Sequence, residues 1–282
     1  MAQVETLRLP ANGFEFSGFS VGPATGRTVL LLHGFPQTSE SWAAVATRLA
    51  DAGLRAVAID QRGYSPGARP SSVAEYAMPN LIADVLAVID ELGGPVDLVG
   101  HDWGGVVAWQ LAARHPDRLR TLTAASTPNQ LAINVVHAAV PAERERFAYI
   151  RLFREAGKAE QVLLGNDARA LRAMFGDVVA PERIASDVQA MQQPGALTAA
   201  LNWYRAMSPR DADGLGLVTV PTTYVWGSAD IAFSQAVAEA SGDYVDADYD
   251  YTFVPLDGVS HWLPDEAPGA LADEILARVL TP

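Results

Sequence analysis

Gly100-His101-Asp102-Trp103-Gly104 is the stretch that most constrains how this chain can fold. It follows Pro95-Val96-Asp97-Leu98-Val99, a short apolar run after Gly93-Gly94 that reads as a buried strand. From Val106 to His115, apolar residues recur at helical spacing. Glycines two residues either side of a polar residue permit a sharp strand-to-helix turn, because no Cβ blocks close backbone approach. Such an elbow lifts its central side chain above a helix N-terminus at the carboxyl end of a sheet. Serine holds that position in the better-known version. Here it is Asp102, and the exchange changes the chemistry. A serine must lose a proton to a base before it attacks, whereas an aspartate, with an unperturbed pKa of about 3.9, is already ionised near neutrality. A carboxylate oxygen suits displacement at a saturated carbon, which leaves an alkyl ester of the protein. Acyl transfer would leave an anhydride. The elbow therefore points away from ester cleavage and toward epoxides, alkyl halides and similar electrophiles. The bland alternative is a loop aspartate capping the helix that follows, and the strand–turn–helix context separates the two.

Composition narrows the setting. At 282 residues the chain makes one or two domains with ample core, and 49% apolar content marks a globular protein. A net charge of −13 argues against nucleic-acid binding. Residues 129–213 carry ten basic and ten acidic side chains, so the acidic excess lies outside that segment. With no cysteine, disulfides, thiolate metal sites and a cysteine nucleophile are excluded. The N-terminus lacks the basic and apolar regions of a signal peptide, and no apolar run approaches membrane-spanning length. The expectation is a cytoplasmic protein, a monomer or homodimer, without membrane insertion.

In chain order, Val4–Leu9 and Phe14–Val21 flank Pro10-Ala11-Asn12-Gly13 and predict an antiparallel hairpin. Apolar strands follow at Thr28–Leu32, Leu54–Ile59, the elbow strand, Leu122–Ala125, Thr222–Trp226 and Tyr251–Leu256. Helices are expected at Ser39–Ala50, capped by Ser39 or Ser41, at Ala83–Leu92, after the elbow, and at Pro268–Leu280. Alternating strands and helices predict an α/β fold, a mostly parallel sheet with helices on both faces. The rhythm breaks at residues 129–213, where Ala142–Glu155, Lys158–Leu164, Ala168–Phe175 and Pro194–Met207 read as helices without a convincing strand. That segment is expected to form a helical lid, or cap domain, inserted after the sixth strand. Residues 1–128 and 214–282 then make the core domain.

Three loops join Asp102 at the carboxyl ends of strands, where open α/β sheets place their ligands. In His33-Gly34-Phe35-Pro36 the Phe35 N–H, with the Trp103 N–H after the nucleophile, can hold a developing oxyanion. Asp230 follows the Thr222–Trp226 strand and His261 follows the last one, so the order Asp102, Asp230, His261 fits nucleophile, acid and histidine base. Asp257 rivals Asp230 for the acid. His115 sits in a helix-end signal, and His137 has no such context.

These motifs resemble the α/β-hydrolase fold and, within it, the epoxide hydrolases, over nearly the whole chain. His33-Gly34-Phe35-Pro36 and Gly100-His101-Asp102-Trp103-Gly104-Gly105 match that family closely. The family places two lid tyrosines over its nucleophile. The segment from Tyr149 to Glu160 resembles the first lid segment, with Ala156 where a proline is common, and Asn202–Met207 resembles the second. Tyr149 and Tyr204 fall on the two tyrosine positions. The resemblance implies a small hydrophobic epoxide as substrate and no metal or organic cofactor. Asp102 would open the ring while the tyrosines hold its oxygen, and His261, oriented by Asp230, would activate water against the resulting ester. A haloalkane dehalogenase shares the aspartate nucleophile. It also needs a second halide donor, which Phe35 does not supply in place of an asparagine. A non-catalytic ligand-binding relative is the reading from another class.

Overall fold

A computed structural model describes residues 4–281. Eight strands form one sheet: β1 (Val4–Ala11), β2 (Phe14–Val21), β3 (Thr28–Leu32), β4 (Arg55–Ile59), β5 (Val96–His101), β6 (Leu119–Ala125), β7 (Thr222–Gly227) and β8 (Tyr251–Leu256). Their spatial order is β1-β2-β4-β3-β5-β6-β7-β8. The β1–β2 hairpin is antiparallel and β2 is antiparallel to β4, whereas every other neighbouring pair is parallel.

Buried parallel strands need apolar side chains on both faces, and β3 and β4 show why these sequences qualify. Successive side chains point to opposite faces. Val29, Leu31, Ala56 and Ala58 therefore join one core with Trp42, Leu49, Leu271 and Ile275. Leu30, Leu32, Val57 and Ile59 join the other with Leu81, Val85, Val107 and Leu111. The first layer is covered by α1 (Ala43–Asp51) and the second by α2 (Met78–Glu91) and α3 (Trp103–Arg114).

Between β6 and β7 lie α4 (Gln130–Ala139), α5 (Tyr149–Phe153), α6 (Lys158–Ala173), α7 (Pro181–Met191) and α8 (Ala196–Ala206). After β7 come α9 (Gln235–Ala240), α10 (Leu263–Glu266) and α11 (Pro268–Leu280).

Several expectations need correction here. The helix expected over Ala142–Glu155 is a 3₁₀ stretch at Pro141–Phe147 followed by short α5. None of residues 141–147 is buried, so no apolar face rewards α-helical spacing there. The helices α4, which buries only Ala132, and α7, which buries Asp187, Val188 and Met191, were not among the expected elements. Neither Ser39 nor Ser41 caps the helix after β3. It opens as a 3₁₀ turn without a side-chain cap, and the Ser39 N–H donates to Asp60 Oδ1 at 2.8 Å. The elbow helix begins at Trp103, three residues before the expected Val106. The break expected between Leu164 and Ala168 is present inside α6, where Asn166, Asp167 and Ala168 take φ of 50°, 56° and 55°.

The helical insertion is fastened to the sheet layer by a few polar bonds as well as by packing. The Trp203 indole N–H on α8 donates to the Arg62 carbonyl at 2.8 Å. Arg154, just past α5, donates through Nε to the Tyr204 carbonyl at 2.9 Å, and Arg205 pairs with Glu160 at 2.9 Å. These bonds fix α5, α6 and α8 to one another.

Candidate active site

The five strands β3, β5, β6, β7 and β8 are consecutive neighbours in the sheet, and their carboxyl ends carry Phe35, Asp102, Ser126, Asp230 and His261. At the elbow, Asp102 takes φ 49° and ψ −118°, a conformation that costs free energy for a residue with a Cβ and recurs at functional sites. The turn closes only because a Cβ on Gly104 would lie 2.2 Å from the Leu32 carbonyl oxygen. Asp102 precedes α3, but its side chain makes no capping bond, so the plain capping role fails. Instead Oδ1 accepts the Phe35 N–H at 2.7 Å, and Oδ2 lies 3.5 Å from His261 Nε2. Thr127 Oγ1 donates to the Asp102 carbonyl at 2.8 Å and anchors the turn.

His261 Nδ1 meets Asp230 Oδ2 at 2.8 Å. The other Asp230 oxygen accepts the N–H groups of Ala232 at 2.7 Å and Phe233 at 3.1 Å, so the carboxylate is fixed by the chain that follows it. Asp257 is exposed and meets Ser228 Oγ at 3.1 Å, well away from this pair. Phe35 also sits in a rigid loop. The His33 carbonyl accepts the Gly104 N–H at 3.0 Å and Gln61 Nε2 at 2.6 Å, so the loop and the elbow hold each other.

The charges reinforce one another. Burial pushes the Asp102 carboxyl up, but the hydrogen bond and charge of His261, with the Phe35 N–H, outweigh it and hold the group below its ordinary value. Burial pushes His261 down. The Asp230 charge and the bonds to Asp102 and Asp230 overcome that and raise it to about 10. Both shifts favour a carboxylate at Asp102 facing an imidazolium at His261.

Two cavities meet over Asp102. One, of about 260 Å³, is lined by Phe35, Phe153, Leu163, Met174 and Trp262, with Arg146 its one further charged residue beside Asp102 and His261. The other, of about 250 Å³, runs toward Met78, Val106, Ile133 and Phe147. Asp102, Tyr149 and Tyr204 line both. The tyrosine rings stand 6.3 Å apart and edge-on, and Tyr204 packs on Trp103, Phe35 and Phe153. Neither hydroxyl donates to another protein group among the described residues, although the Tyr204 oxygen accepts a hydrogen bond from the Trp103 side chain. Burial, then the Asp102 charge, pushes both phenols up and keeps them protonated. Sequence reasoning therefore chose residues that the fold brings together. It missed Ser126 and Thr127 beneath the elbow and gave His101 no task, although all three sit at strand ends that the apolar runs had marked.

Residues 27–268 match the α/β hydrolase fold family. The chain is 32% identical over 276 residues to the AB hydrolase superfamily protein YfhM of Bacillus subtilis, with 95% of each chain covered. It is 30% identical over 304 residues to epoxide hydrolase A of Mycobacterium tuberculosis, with 94% of each covered. The solved structure of epoxide hydrolase A from Mycobacterium thermoresistibile superposes with a TM-score of 0.85 at 26% identity, covering 98% of both chains. The chain belongs to the α/β hydrolase fold family and, within it, to the epoxide hydrolases. No helix of the described residues is long and apolar enough to cross a membrane.

Proposed function

We propose that this enzyme opens hydrophobic epoxides to vicinal diols through a covalent hydroxyalkyl ester on Asp102. The observation that carries this reading is that two protonated phenols and the Asp102 carboxylate share the same cavity walls. The first step is displacement. Asp102 Oδ2 attacks a ring carbon, the C–O bond breaks, and the oxygen takes a proton from Tyr149 or Tyr204. The resulting phenolate is reprotonated from the His261 imidazolium. That leaves the tyrosines restored, Asp102 esterified and His261 neutral. The proton held in the resting site thus ends on the alkoxide, and the base appears only once there is an ester to cleave.

The second step is hydrolysis. Esterification removes the Asp102 charge that helped to raise His261. The neutral imidazole, oriented by Asp230, takes a proton from water as the oxygen attacks the ester carbonyl. The oxyanion forms where the Phe35 N–H already holds Asp102 Oδ1, with the Trp103 N–H as the second donor. Collapse expels the diol oxygen, which takes the proton still held on the attacking oxygen, directly or by way of His261, and returns Asp102 as carboxylate and His261 as imidazolium. The helical insertion over residues 129–213 acts as a cap domain on the core formed by residues 1–128 and 214–282. It brings the phenols and most of the apolar wall. Each cavity takes a substituent of modest size. Haloalkane dehalogenation lacks this support, since Phe35 offers a ring and no donor to a leaving halide. Diol formation measured against halide release, over a panel of small apolar epoxides and haloalkanes, tests the reading. Diol from the epoxides is expected, and halide release without diol from any epoxide would overturn it.

A further inference from the structure

His101 stands between the elbow glycine and the nucleophile, is fully buried, and has no part in the chemistry above. Its Nε2 lies 2.8 Å from the backbone carbonyl oxygen of His261. The same oxygen accepts Ser126 Oγ at 2.7 Å and, locally, the Leu263 N–H at 3.0 Å. Ser126 is itself held, since Tyr224 donates its hydroxyl to the Ser126 carbonyl at 2.9 Å. Three adjacent parallel strands, β5, β6 and β7, thus each contribute one buried polar side chain to a chain of bonds ending on the backbone of the base.

A carbonyl oxygen only accepts, so His101 carries its proton on Nε2. Its Nδ1 is then a bare lone pair, buried and without a partner among the described residues. Ser126 adopts φ 63°, a left-handed conformation uncommon for a residue with a Cβ. Apolar packing alone would select neither feature, because an orphaned ring nitrogen and a left-handed serine are both unfavourable. What the arrangement secures is the position of His261. The loop before it, Asp257–Ser260, is half or fully exposed, and the Asp230 bond fixes only one end of the ring.

We infer that His101 and Ser126 are positioning residues. They clamp the His261 backbone and thereby set Nε2 against the Asp102 ester, acting on hydrolysis rather than on alkylation. The inference rests on the two-step reading above. Alkylation needs no base, and His261 only restores the phenol proton after the C–O bond has broken, so the clamp bears little on the rate of that step. Hydrolysis needs the base within reach of one water and one carbonyl carbon, and small displacements there are costly.

The test uses styrene oxide as probe, rapid quenching and mass spectrometry of the intact chain. The variants are Ser126→Ala, Tyr224→Phe, His101→Leu, which removes the donor, and His101→Gln, which keeps an N–H. Ester formation within about twofold of the parent is expected in all four. Ester hydrolysis should slow by roughly 10- to 100-fold in Ser126→Ala and His101→Leu, so that ester accumulates, with partial recovery in His101→Gln. Equal slowing of both steps together with a lowered melting temperature, or unchanged hydrolysis in both donor-less variants, would overturn the clamp. The downfield proton resonance of the His261 Nδ1–H···Asp230 bond gives a readout independent of turnover. It should weaken or shift in Ser126→Ala and His101→Leu and stay put if the clamp is wrong. If the parent opens no epoxide, the functional reading falls, and this resonance alone still decides the clamp.

Discussion

Removing the hydroxyls of Tyr149 and Tyr204 isolates the ring-opening step. Each phenol is placed to donate to an oxygen that becomes an alkoxide as the C–O bond breaks. A hydrogen bond to a charged group contributes about 1.5–3 kcal/mol, which is roughly 10- to 150-fold in rate. Losing both should cost on the order of a thousandfold or more, with some non-additivity because the two donors share one acceptor. Stability should change little, since Tyr149→Phe removes no protein hydrogen bond among the described residues and Tyr204→Phe removes only the one from the Trp103 side chain. Tyr204 keeps its edge contacts with Trp103 at 5.1 Å and Phe153 at 4.9 Å, and Tyr149 keeps its contact with Phe153 at 5.1 Å. The assay is rapid-quench mass spectrometry of the ester on the Asp102 peptide in Tyr149→Phe, Tyr204→Phe and the double variant. Hydrolysis of preformed ester should be nearly unaffected. A double variant that forms ester at the parental rate would refute the role of the phenols.

Further outcomes follow from the same geometry. His261→Gln should alkylate once and then stall, leaving the chain heavier by one substrate mass on the peptide that holds Asp102. Parental turnover by that variant would remove His261 from the second step. Gly34→Ala places a Cβ 2.2 Å from the Asp102 Cβ, and its nearest contacts are all Asp102 side-chain atoms. Ester formation should therefore fall by about a hundredfold or more, and the melting temperature should fall with it, because the Asp102 Cβ cannot move without the elbow backbone. Parental ester formation would show that the elbow yields. Despite burial, the Asp230 charge and the two carboxylate bonds raise His261 from 6.5 to about 10 in the folded chain. The stabilisation it contributes is complete below the lower value and is lost as pH climbs to the upper one. Melting temperatures across that window should fall in the parent and fall less in His261→Gln, and parallel curves would contradict the raised value.

The centre of the sheet was legible because parallel strands buried on both faces read as unbroken apolar runs, as Thr28–Leu32 does, whereas the antiparallel β2 and the half-exposed edge strand β8 were marked by the turns that bound them. Phe14–Val21, Thr28–Leu32 and Tyr251–Leu256 were expected with the bounds they have. The site was legible for a related reason. Elbow glycines and strand-end loops leave residue-level marks, so Asp102, Phe35, Asp230 and His261 stood out one by one. The helical insertion was harder. Some of its elements bury few residues, as α4 and the 3₁₀ stretch at Pro141–Phe147 show, whereas α8 buries most of its length. Tyr149 and Tyr204 were reached through resemblance, since nothing in their local pattern separates them from packing aromatics. The bonds onto the His261 carbonyl were invisible, because they join residues 135 and 160 positions apart in sequence.

The central claim is that water attacks an ester of Asp102 and not the epoxide. One turnover of the parent enzyme in heavy-oxygen water, with enzyme in excess over styrene oxide, tests it directly. The solvent oxygen should appear in the Asp102 side chain, read by mass spectrometry of its peptide, and the first-turnover diol should carry only ordinary oxygen. A first-turnover diol that contains the solvent oxygen, with Asp102 unlabelled, would make Asp102 a general base and contradict the covalent mechanism.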